Sequence, residues 1–145
     1  MIIVGITGTI GSGKSTTASI IQCLGYSVFD ADFWAKALIT KKKYKNEILN
    51  SFKHQISKLY ENKKINIELL GKHVFSDRNE LKKLEDILHP AIYKKKADFI
   101  FKNALLRKKI IFLDIPLLYE NESYLHCDYI LHMVVNKKIR DHRVL

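Results

Sequence analysis

Residues 8–15 constrain this chain more than any other segment. They read GTIGSGKS and match the pattern G-x-x-x-x-G-K-[ST] of a phosphate-binding loop. In such a loop the backbone N–H groups point at nucleotide phosphates, the Lys14 ammonium reaches the β and γ phosphates, and the Ser15 hydroxyl holds Mg²⁺. Glycines are needed because a side chain would block the close approach of backbone to phosphate. The motif therefore predicts a nucleotide ligand and phosphate chemistry.

The residues around this motif supply the context that it needs, which is a strand before the loop and a helix after it. Residues 2–7 form a β-branched apolar run typical of a buried strand, and Ala18, Ile21 and Leu24 recur at helical spacing. Gly25 is then expected to end the helix. The alternatives are a glycine-rich turn with an incidental lysine and a Rossmann loop, which the missing G-x-G-x-x-G pattern disfavours.

Length and composition favour a globular protein with one sizeable core and an additional segment built onto it. The chain has 145 residues, 47% of them apolar, and its apolar runs are too short to cross a bilayer. The N-terminal apolar stretch has no basic region before it and runs into the phosphate-binding loop, which indicates a strand and not a signal peptide. Cys23 and Cys127 lack metal-ligand spacing and are interpreted as reduced core thiols of a cytoplasmic protein without a membrane partner.

The formal net charge of +10 comes mostly from scattered pairs and triplets of lysine. One interpretation is a basic face that binds nucleic acid. The other is a solvated, lysine-rich surface on a protein whose nucleotide substrate is itself anionic. Because the lysines are not interleaved with aromatic residues of the RNA-binding type, the second interpretation is favoured and no nucleic-acid partner is expected.

The order of predicted elements indicates an α/β fold with a parallel sheet and a helical insertion. Strands are predicted at residues 2–7, 26–30, 109–115 and 129–135. Residues 33–107 show helical spacing and no clear strand alternation, and Pro90 is interpreted as a helix boundary or a first-turn residue. The predicted domains are a discontinuous nucleotide-binding core, residues 1–32 and 109–145, and a helical insertion, residues 33–108.

Carboxylates end two of the predicted strands, where ligands collect in an open parallel sheet. Asp114 follows four apolar residues and is a candidate to hold Mg²⁺ beside the loop, the alternative being an ordinary turn residue. Asp30 and Asp32 close the second strand, and one of them is a candidate to accept the proton of an acceptor hydroxyl. Capping of the following helix is the other role open to this pair.

Arg140 and Arg143 lie in a basic segment after the last predicted strand. Phosphoryl transfer spreads negative charge over the phosphate oxygens, and arginines stabilise that charge, so either residue is a candidate. The alternative is that both are solvated charges on a helix.

Several segments, taken together and in order, resemble the dephospho-coenzyme A kinase family. Besides the phosphate-binding loop they are GYSVFDAD at 25–32, VF at 74–75, LEDILHP at 84–90 and DIPLLYE at 114–120. The loop alone fits many kinases, whereas the ordered set is specific to this family. The segments are spread over the whole chain.

The resemblance implies a P-loop NTPase three-layer sandwich of the nucleoside-monophosphate-kinase type, with a parallel sheet and a helical substrate insertion. It implies transfer of the γ-phosphoryl group of ATP, with Mg²⁺, to the 3′-hydroxyl of dephospho-CoA. Asp32 is then the base or hydroxyl-orienting residue, with Lys14 and Arg143 also catalytic. The implied contacts are, on the ATP side, Gly11, Ser12, Gly13, Lys14, Ser15 and Thr16, and, on the CoA side, Asp30, Asp32, His89, Pro90, Leu117, Leu118 and Glu120.

The chain departs from the family pattern in three ways. Arg140 replaces the glutamine of a Gln-x-x-Arg pattern, and Lys36 replaces a common arginine, which keeps the charge but loses the bidentate fork. The chain stops at Leu145, where the family continues through a lid and a last core strand, so both are expected to be absent.

Three hypotheses follow from these residues. The first is an ATP-dependent dephospho-CoA kinase. The second is a nucleotide-binding fragment with impaired catalysis, and the third is a basic protein that binds nucleic acid with strong salt dependence. A kinase for another small hydroxyl acceptor is disfavoured by the segments outside the phosphate-binding loop.

Overall fold

The computed structural model describes residues 1–115, 123–136 and 142. The strands are β1 (Ile2–Gly8), β2 (Ser27–Asp30), β3 (Tyr60–Glu61), β4 (Lys64–Ile65), β5 (Ile110–Asp114) and β6 (Tyr129–Met133). The helices are α1 (Lys14–Cys23), α2 (Ala31–Ile39), α3 (Lys42–Phe52), α4 (Ile67–Ser76) and α5 (Arg78–Leu105), with a 3₁₀ turn at Ser123–His126. None of the helices within these ranges is long and apolar enough to cross a membrane.

The strands β2, β5, β1 and β6 form a parallel sheet in that order. In the central strand, Ile6 has Asp114 of β5 as its register partner on one side and Leu131 of β6 on the other. Two hydrogen bonds fix the start of β6. The Asp128 N–H donates to the Ile3 carbonyl oxygen at 2.8 Å, and the Ile3 N–H donates to the Asp128 carboxylate at 2.7 Å. The parallel sheet predicted from the sequence is confirmed.

The chain divides into two compact units. The core unit comprises residues 1–32 and 96–145, and the helical unit comprises residues 33–95. The predicted insertion also starts at residue 33 but extends to residue 108. The predicted and observed ends of the insertion differ because α5 is one continuous helix. Its residues from 96 onwards belong to the core unit.

Helices cover both faces of the sheet within the core unit. Successive side chains of a strand point to opposite faces, so Val28 and Phe29 of β2 meet different helices. Val28 packs against a cluster that includes Ile21 of α1. The Phe29 ring lies 5.6 Å from the ring of Phe99 in α5. The sheet is therefore the middle of three layers, as expected for a P-loop sandwich.

The helix after the phosphate-binding loop follows its predicted pattern only in part. Ala18 and Ile21 are buried, whereas Leu24 is 69% exposed because α1 ends one residue earlier, at Cys23. Gly25 has a φ of +87°, so it ends the helix as predicted. Neither cysteine forms a disulfide bond, but the prediction of two core thiols is wrong for Cys23, which is exposed.

A buried apolar cluster holds the helical unit together. Leu70 and Val74 of α4 and Leu88 of α5 belong to it, and Leu84 packs against it. Leu70 and Val74 are four residues apart, as are Leu84 and Leu88, so the helical spacing predicted for this part of the chain is confirmed.

The prediction of a purely helical stretch over residues 33–107 is wrong at one point. β3 and β4 form an antiparallel hairpin in which Tyr60 faces Ile65. The two turn residues, Asn62 and Lys63, have φ values of +50° and +63°. Hairpins of this kind usually carry glycine at the second turn position. The hairpin was missed because lysine stands there.

Pro90 lies inside α5 and does not mark a helix boundary, contrary to the prediction. Proline lacks the N–H that would reach the carbonyl of residue 86, which costs about 3 kcal/mol or more in a helix interior. The helix continues because residues on both sides of Pro90 pack into the apolar cluster. Leu88 is buried there, and Ala91 and Ile92 pack against it.

Replacing Phe52 by alanine is expected to lower the free energy of unfolding by about 3–5 kcal/mol, because a fully buried ring is lost and a cavity remains. The matched control is Phe75→Ala, since the Phe75 side chain on α4 is 80% exposed. That change is expected to shift the free energy by less than about 0.5 kcal/mol. Urea unfolding followed by circular dichroism measures both, and equal losses would contradict the core position of Phe52.

Candidate active site

The carboxyl ends of three neighbouring strands meet where the phosphate-binding loop begins. β1 leads into the loop, β5 ends at Asp114, and β2 ends at Asp30. Asp30 and Asp114 are register partners in the sheet. Ligands of open parallel sheets bind outside this end. The fold therefore brings the predicted carboxylates to the phosphate-binding loop.

Two glycines give the loop its shape. Gly11 and Gly13 have φ values of +79° and +92°, a region that residues with a side chain rarely adopt. Gly13 also precedes α1, and its carbonyl oxygen accepts a hydrogen bond from the Thr17 N–H at 2.9 Å. The positive end of the α1 dipole is thus directed at the loop, which favours an anionic ligand there.

The start of the loop is closely packed against the end of β6. A β-carbon added at Gly8 would lie 2.6 Å from the Ser12 Oγ and 2.9 Å from the Met133 carbonyl oxygen, so a larger residue does not fit. Ser12 is buried, and its Oγ has no hydrogen-bond partner among the described residues. Leaving such a group unsatisfied costs about 1–3 kcal/mol. A phosphate oxygen would satisfy it.

The Lys14 ammonium forms an ion pair with Oδ1 of Asp114. The two side chains are 17% and 6% exposed. Lys14 is the first residue of α1 and Asp114 is the last residue of β5, so the fold joins residues that are 100 positions apart in sequence. The side chain predicted to contact phosphates and the one predicted to hold the metal ion therefore lie side by side.

Burial raises the pKa of Asp114 above the usual range of an aspartate. The hydrogen bond and charge of Lys14 act in the opposite direction, while the nearby Asp30 and Asp32 carboxylates raise the pKa further. The net effect is a raised pKa, because loss of hydration and repulsion between like charges outweigh the lysine. A cation bound here would relieve that repulsion.

Replacing Asp114 by asparagine is expected to change how stability depends on pH. The folded-state pKa is raised, so the contribution of Asp114 to stability is present below its unfolded pKa and is lost as the pH rises through the folded value. The stability of Asp114→Asn relative to the native chain should therefore increase from about pH 4 towards neutral pH. Urea unfolding across this range measures it. The exposed Asp98→Asn is the control, and parallel curves for Asp114→Asn and the native chain would contradict the expectation.

The oxygen atoms around this site suit Mg²⁺. The candidate donors are the carboxylate of Asp114 and the hydroxyl of Ser15 in the first turn of α1, and the Asp30 and Asp32 carboxylates are close enough to act electrostatically on Asp114. Across residues 1–115, 123–136 and 142, no group of three or more His, Cys, Asp or Glu side chains is arranged to hold a metal ion by itself. Mg²⁺ is commonly bound by one or two carboxylates together with substrate phosphates. The donor set therefore fits an ion that binds with a nucleotide.

The other predicted substrate residues lie elsewhere in the chain. His89 and Pro90 are adjacent in α5 within the helical unit, where the His89 ring lies 5.5 Å from the ring of Tyr93 and Pro90 is exposed. The predicted residues that fall outside the described ranges are Leu117, Leu118, Glu120, Arg140 and Arg143.

Comparison with known proteins identifies the family. The family model described as dephospho-CoA kinase matches residues 2–145 of the chain. The chain belongs to the dephospho-CoA kinase family. The dephospho-CoA kinase of Bartonella quintana is 36% identical over 145 residues, which is all of this chain and 72% of that protein. The dephospho-CoA kinase of Fusobacterium nucleatum is 33% identical over 147 residues and is covered to the same 72%.

Solved structures share the fold. The protein TT1252 from Thermus thermophilus superposes with a TM-score of 0.77 at 32% identity, covering 99% of this chain and 70% of that one. The dephospho-CoA kinase from Campylobacter jejuni has a TM-score of 0.62 at 22% identity, covering 98% of this chain and 93% of that one, and supports the fold alone. The predicted α/β fold and the predicted family are confirmed.

Two features of the site in this dephospho-CoA kinase family member were not predicted. The first is the ion pair between Lys14 and Asp114, whose only signal was that Asp114 was expected at the end of a strand beside the loop that carries Lys14. The second is the buried hydroxyl of Ser12, which has no hydrogen-bond partner in the described part of the chain. The loop motif treats position 12 as variable, so the motif itself gives no signal for that hydroxyl.

Proposed function

We propose that this member of the dephospho-CoA kinase family transfers the γ-phosphoryl group of ATP to the 3′-hydroxyl of dephospho-CoA, giving coenzyme A and ADP. The observation that carries the proposal is the ion pair between Lys14 and Asp114 at a phosphate-binding loop, within electrostatic range of Asp30 and Asp32. A phosphate-binding lysine and carboxylates at neighbouring strand ends are the groups that phosphoryl transfer to a hydroxyl requires.

In this proposal, ATP binding replaces the internal ion pair. The Lys14 ammonium moves from Asp114 to the β and γ phosphates, where its charge is matched by more than one phosphate oxygen. The loop N–H groups and the positive end of α1 hold the same phosphates. The residues proposed to contact ATP are Gly11, Ser12, Gly13, Lys14, Ser15 and Thr16.

Release of Lys14 leaves the Asp114 carboxylate buried and close to two other acids. We propose that Asp114 and the Ser15 hydroxyl hold Mg²⁺ in that state, because both are oxygen donors and the uncompensated charge favours a cation. When bound, Mg²⁺ neutralises the charge that develops on the phosphate oxygens.

We propose that Asp32 orients the acceptor hydroxyl and takes its proton. The acceptor oxygen forms a bond to the γ-phosphorus, the bond from that phosphorus to the β-phosphate oxygen breaks, and ADP leaves. Asp30, half-buried at the end of β2, is proposed to contact the substrate beside Asp32. Arg143 is proposed to stabilise the transferred phosphate.

The acceptor-binding residues are proposed from the family's sequence pattern. His89, Pro90, Leu117, Leu118 and Glu120 match the family's motifs and would shape the pocket on the CoA side. The helical unit is accordingly proposed as the substrate domain. The absence of a disulfide between Cys23 and Cys127 and the proposed use of ATP support a cytoplasmic location, and the proposed partner is the small-molecule acceptor, not nucleic acid or a membrane.

ADP release from Mg-ATP by the purified chain tests the proposal. Dephospho-CoA is expected to stimulate ADP release, whereas coenzyme A, whose 3′-hydroxyl is already phosphorylated, is not. Single-stranded RNA serves as a further control. Equal ADP release with and without dephospho-CoA, or stimulation by RNA alone, would contradict the proposal.

A further inference from the structure

The helical unit contains a cavity of about 290 Å³, formed by residues that the proposed reaction does not use. Its apolar wall consists of Ile39 at the end of α2, Ile65 in β4 and Ile67 at the start of α4. Sites for small molecules commonly measure about 300–1,000 Å³. The volume of this cavity lies just below the lower limit of that range, so a ligand here must be small.

Three lysines line the same cavity, namely Lys45, Lys63 and Lys64, and none of its described lining residues is acidic. Lys63 and Lys64 form no ion pair with any residue that the structure describes. The Lys45 ammonium lies 5.3 Å from the centre of the Tyr60 ring and 3.4 Å from the Tyr60 hydroxyl, both of which are neutral. The lining of the cavity therefore combines three lysines with an apolar wall.

The position of Lys63 is unusual for its residue type. Lys63 is the second residue of the two-residue turn between β3 and β4, with a φ of +63°. That conformation favours glycine, and a residue with a side chain adopts it at a conformational cost. Glycine would remove the cost but also the ammonium. Lys63 therefore lines the cavity in a backbone conformation that carries a cost, and Lys58 adopts the same conformation away from the cavity.

We infer that this cavity binds a small molecule that joins a phosphate group to a short apolar chain. The phosphate lies against the ammonium groups of Lys45, Lys63 and Lys64, since phosphate is a common partner of lysine. The apolar chain lies against the isoleucine wall, where it is removed from water. Phosphate alone would leave the wall unused, and an alcohol alone would leave the charges uncompensated.

This inference does not depend on the proposed kinase activity. All the lining residues belong to the helical unit, and binding here requires neither ATP nor Lys14. The test can therefore be done without nucleotide. The Lys14→Ala chain is expected to bind the cavity ligand as the native chain does. A wrong assignment of the phosphate-binding loop and a wrong assignment of the cavity would therefore give different results.

Hexyl phosphate is the probe, and inorganic phosphate and hexanol are its matched partial ligands. Titration of the ¹⁵N-labelled chain is expected to shift the amide signals of residues 39–40, 45 and 63–67 with hexyl phosphate much more than with either partial ligand. The affinity is expected to fall with added salt, because exposed charges are screened. Competition with excess dephospho-CoA shows which molecule carries the phosphate group that binds in the cavity. If it displaces the probe, the acceptor itself supplies the phosphate, and if it does not, the site serves a different phosphate compound.

Lys63→Gly is the decisive variant, and Lys58→Gly is its matched control. Both replacements remove one lysine at a positive φ, +63° and +61°, but Lys58 does not line the cavity. Lys63→Gly is expected to weaken hexyl phosphate binding about three- to tenfold, the effect of losing one charged contact, while Lys58→Gly leaves it unchanged. Equal affinities for the two variants, or equal shifts with hexanol and hexyl phosphate, would overturn the inference.

Discussion

Replacing Lys14 by alanine is expected to lower the rate of dephospho-CoA phosphorylation by at least about 10²–10³-fold, the usual effect of removing a group that stabilises charge in the transition state. The Lys14 ammonium is held at the opening of the phosphate-binding loop by Asp114 and is only 17% exposed. In the proposed function it exchanges Asp114 for the β and γ phosphates when ATP binds. Alanine removes the charge from the place where phosphoryl transfer concentrates negative charge.

Two controls separate this effect from a loss of folding or of overall charge. Lys14→Met keeps most of the aliphatic stem and removes only the charge, so it should be as inactive as Lys14→Ala. Lys108→Ala removes an exposed lysine just after α5 and should leave the rate unchanged. Steady-state ADP formation and thermal unfolding are measured for each variant. A near-native rate for a folded Lys14→Ala chain would contradict the assignment of the phosphate-binding loop.

Replacing Asp32 by asparagine is expected to lower the rate about 10²–10⁴-fold, the usual contribution of a general base, while ATP binding changes little. Asparagine has nearly the same shape as aspartate but cannot take the proton of the acceptor hydroxyl. Asp32 lies in the first turn of α2, is exposed, and acts electrostatically on Asp114. It is therefore close to the metal-binding candidate and open to a substrate.

The competing role for Asp32 is stabilisation of its helix. An acidic residue in the first turn of a helix contributes about 0.3–1 kcal/mol through the helix dipole. If that were its only role, Asp32→Asn would lower stability by this amount and leave the rate intact. Asp30→Asn is the matched variant, because Asp30 immediately precedes α2 at the cap position. If Asp30→Asn greatly lowered the rate and Asp32→Asn left it normal, Asp30 and not Asp32 would be the residue that takes the proton of the acceptor hydroxyl.

The parallel sheet and the approach of its strand ends to the phosphate-binding loop were predictable because they depend on local signals. β-branched runs mark β1 and β5, glycines mark the loop and the end of α1, and crossover connections bring Asp30 and Asp114 to the same end of the sheet. The family was predictable for the same reason, since its motifs lie at these strand ends and helix starts.

The features that were missed depend on tertiary packing or on a residue that local rules disfavour. Pro90 reads as a boundary, yet apolar packing on both sides of it keeps α5 continuous. From the sequence Lys63 is interpreted as a solvated charge. In the structure it occupies the second turn position of a hairpin, where glycine is usual. The ion pair between Lys14 and Asp114 joins residues from distant parts of the chain, so no spacing in the sequence reveals it.

The most direct test of the proposed function follows the γ-phosphate of ATP into the product. The chain is incubated with Mg²⁺, dephospho-CoA and ATP labelled at the γ-phosphate, and the product is identified by mass and by ³¹P NMR. Label is expected on the 3′-oxygen of coenzyme A in an amount equal to the ADP formed, and Lys14→Ala is expected to form it at least about 10²-fold more slowly. Label found only in inorganic phosphate, or at another position of the acceptor, would contradict it.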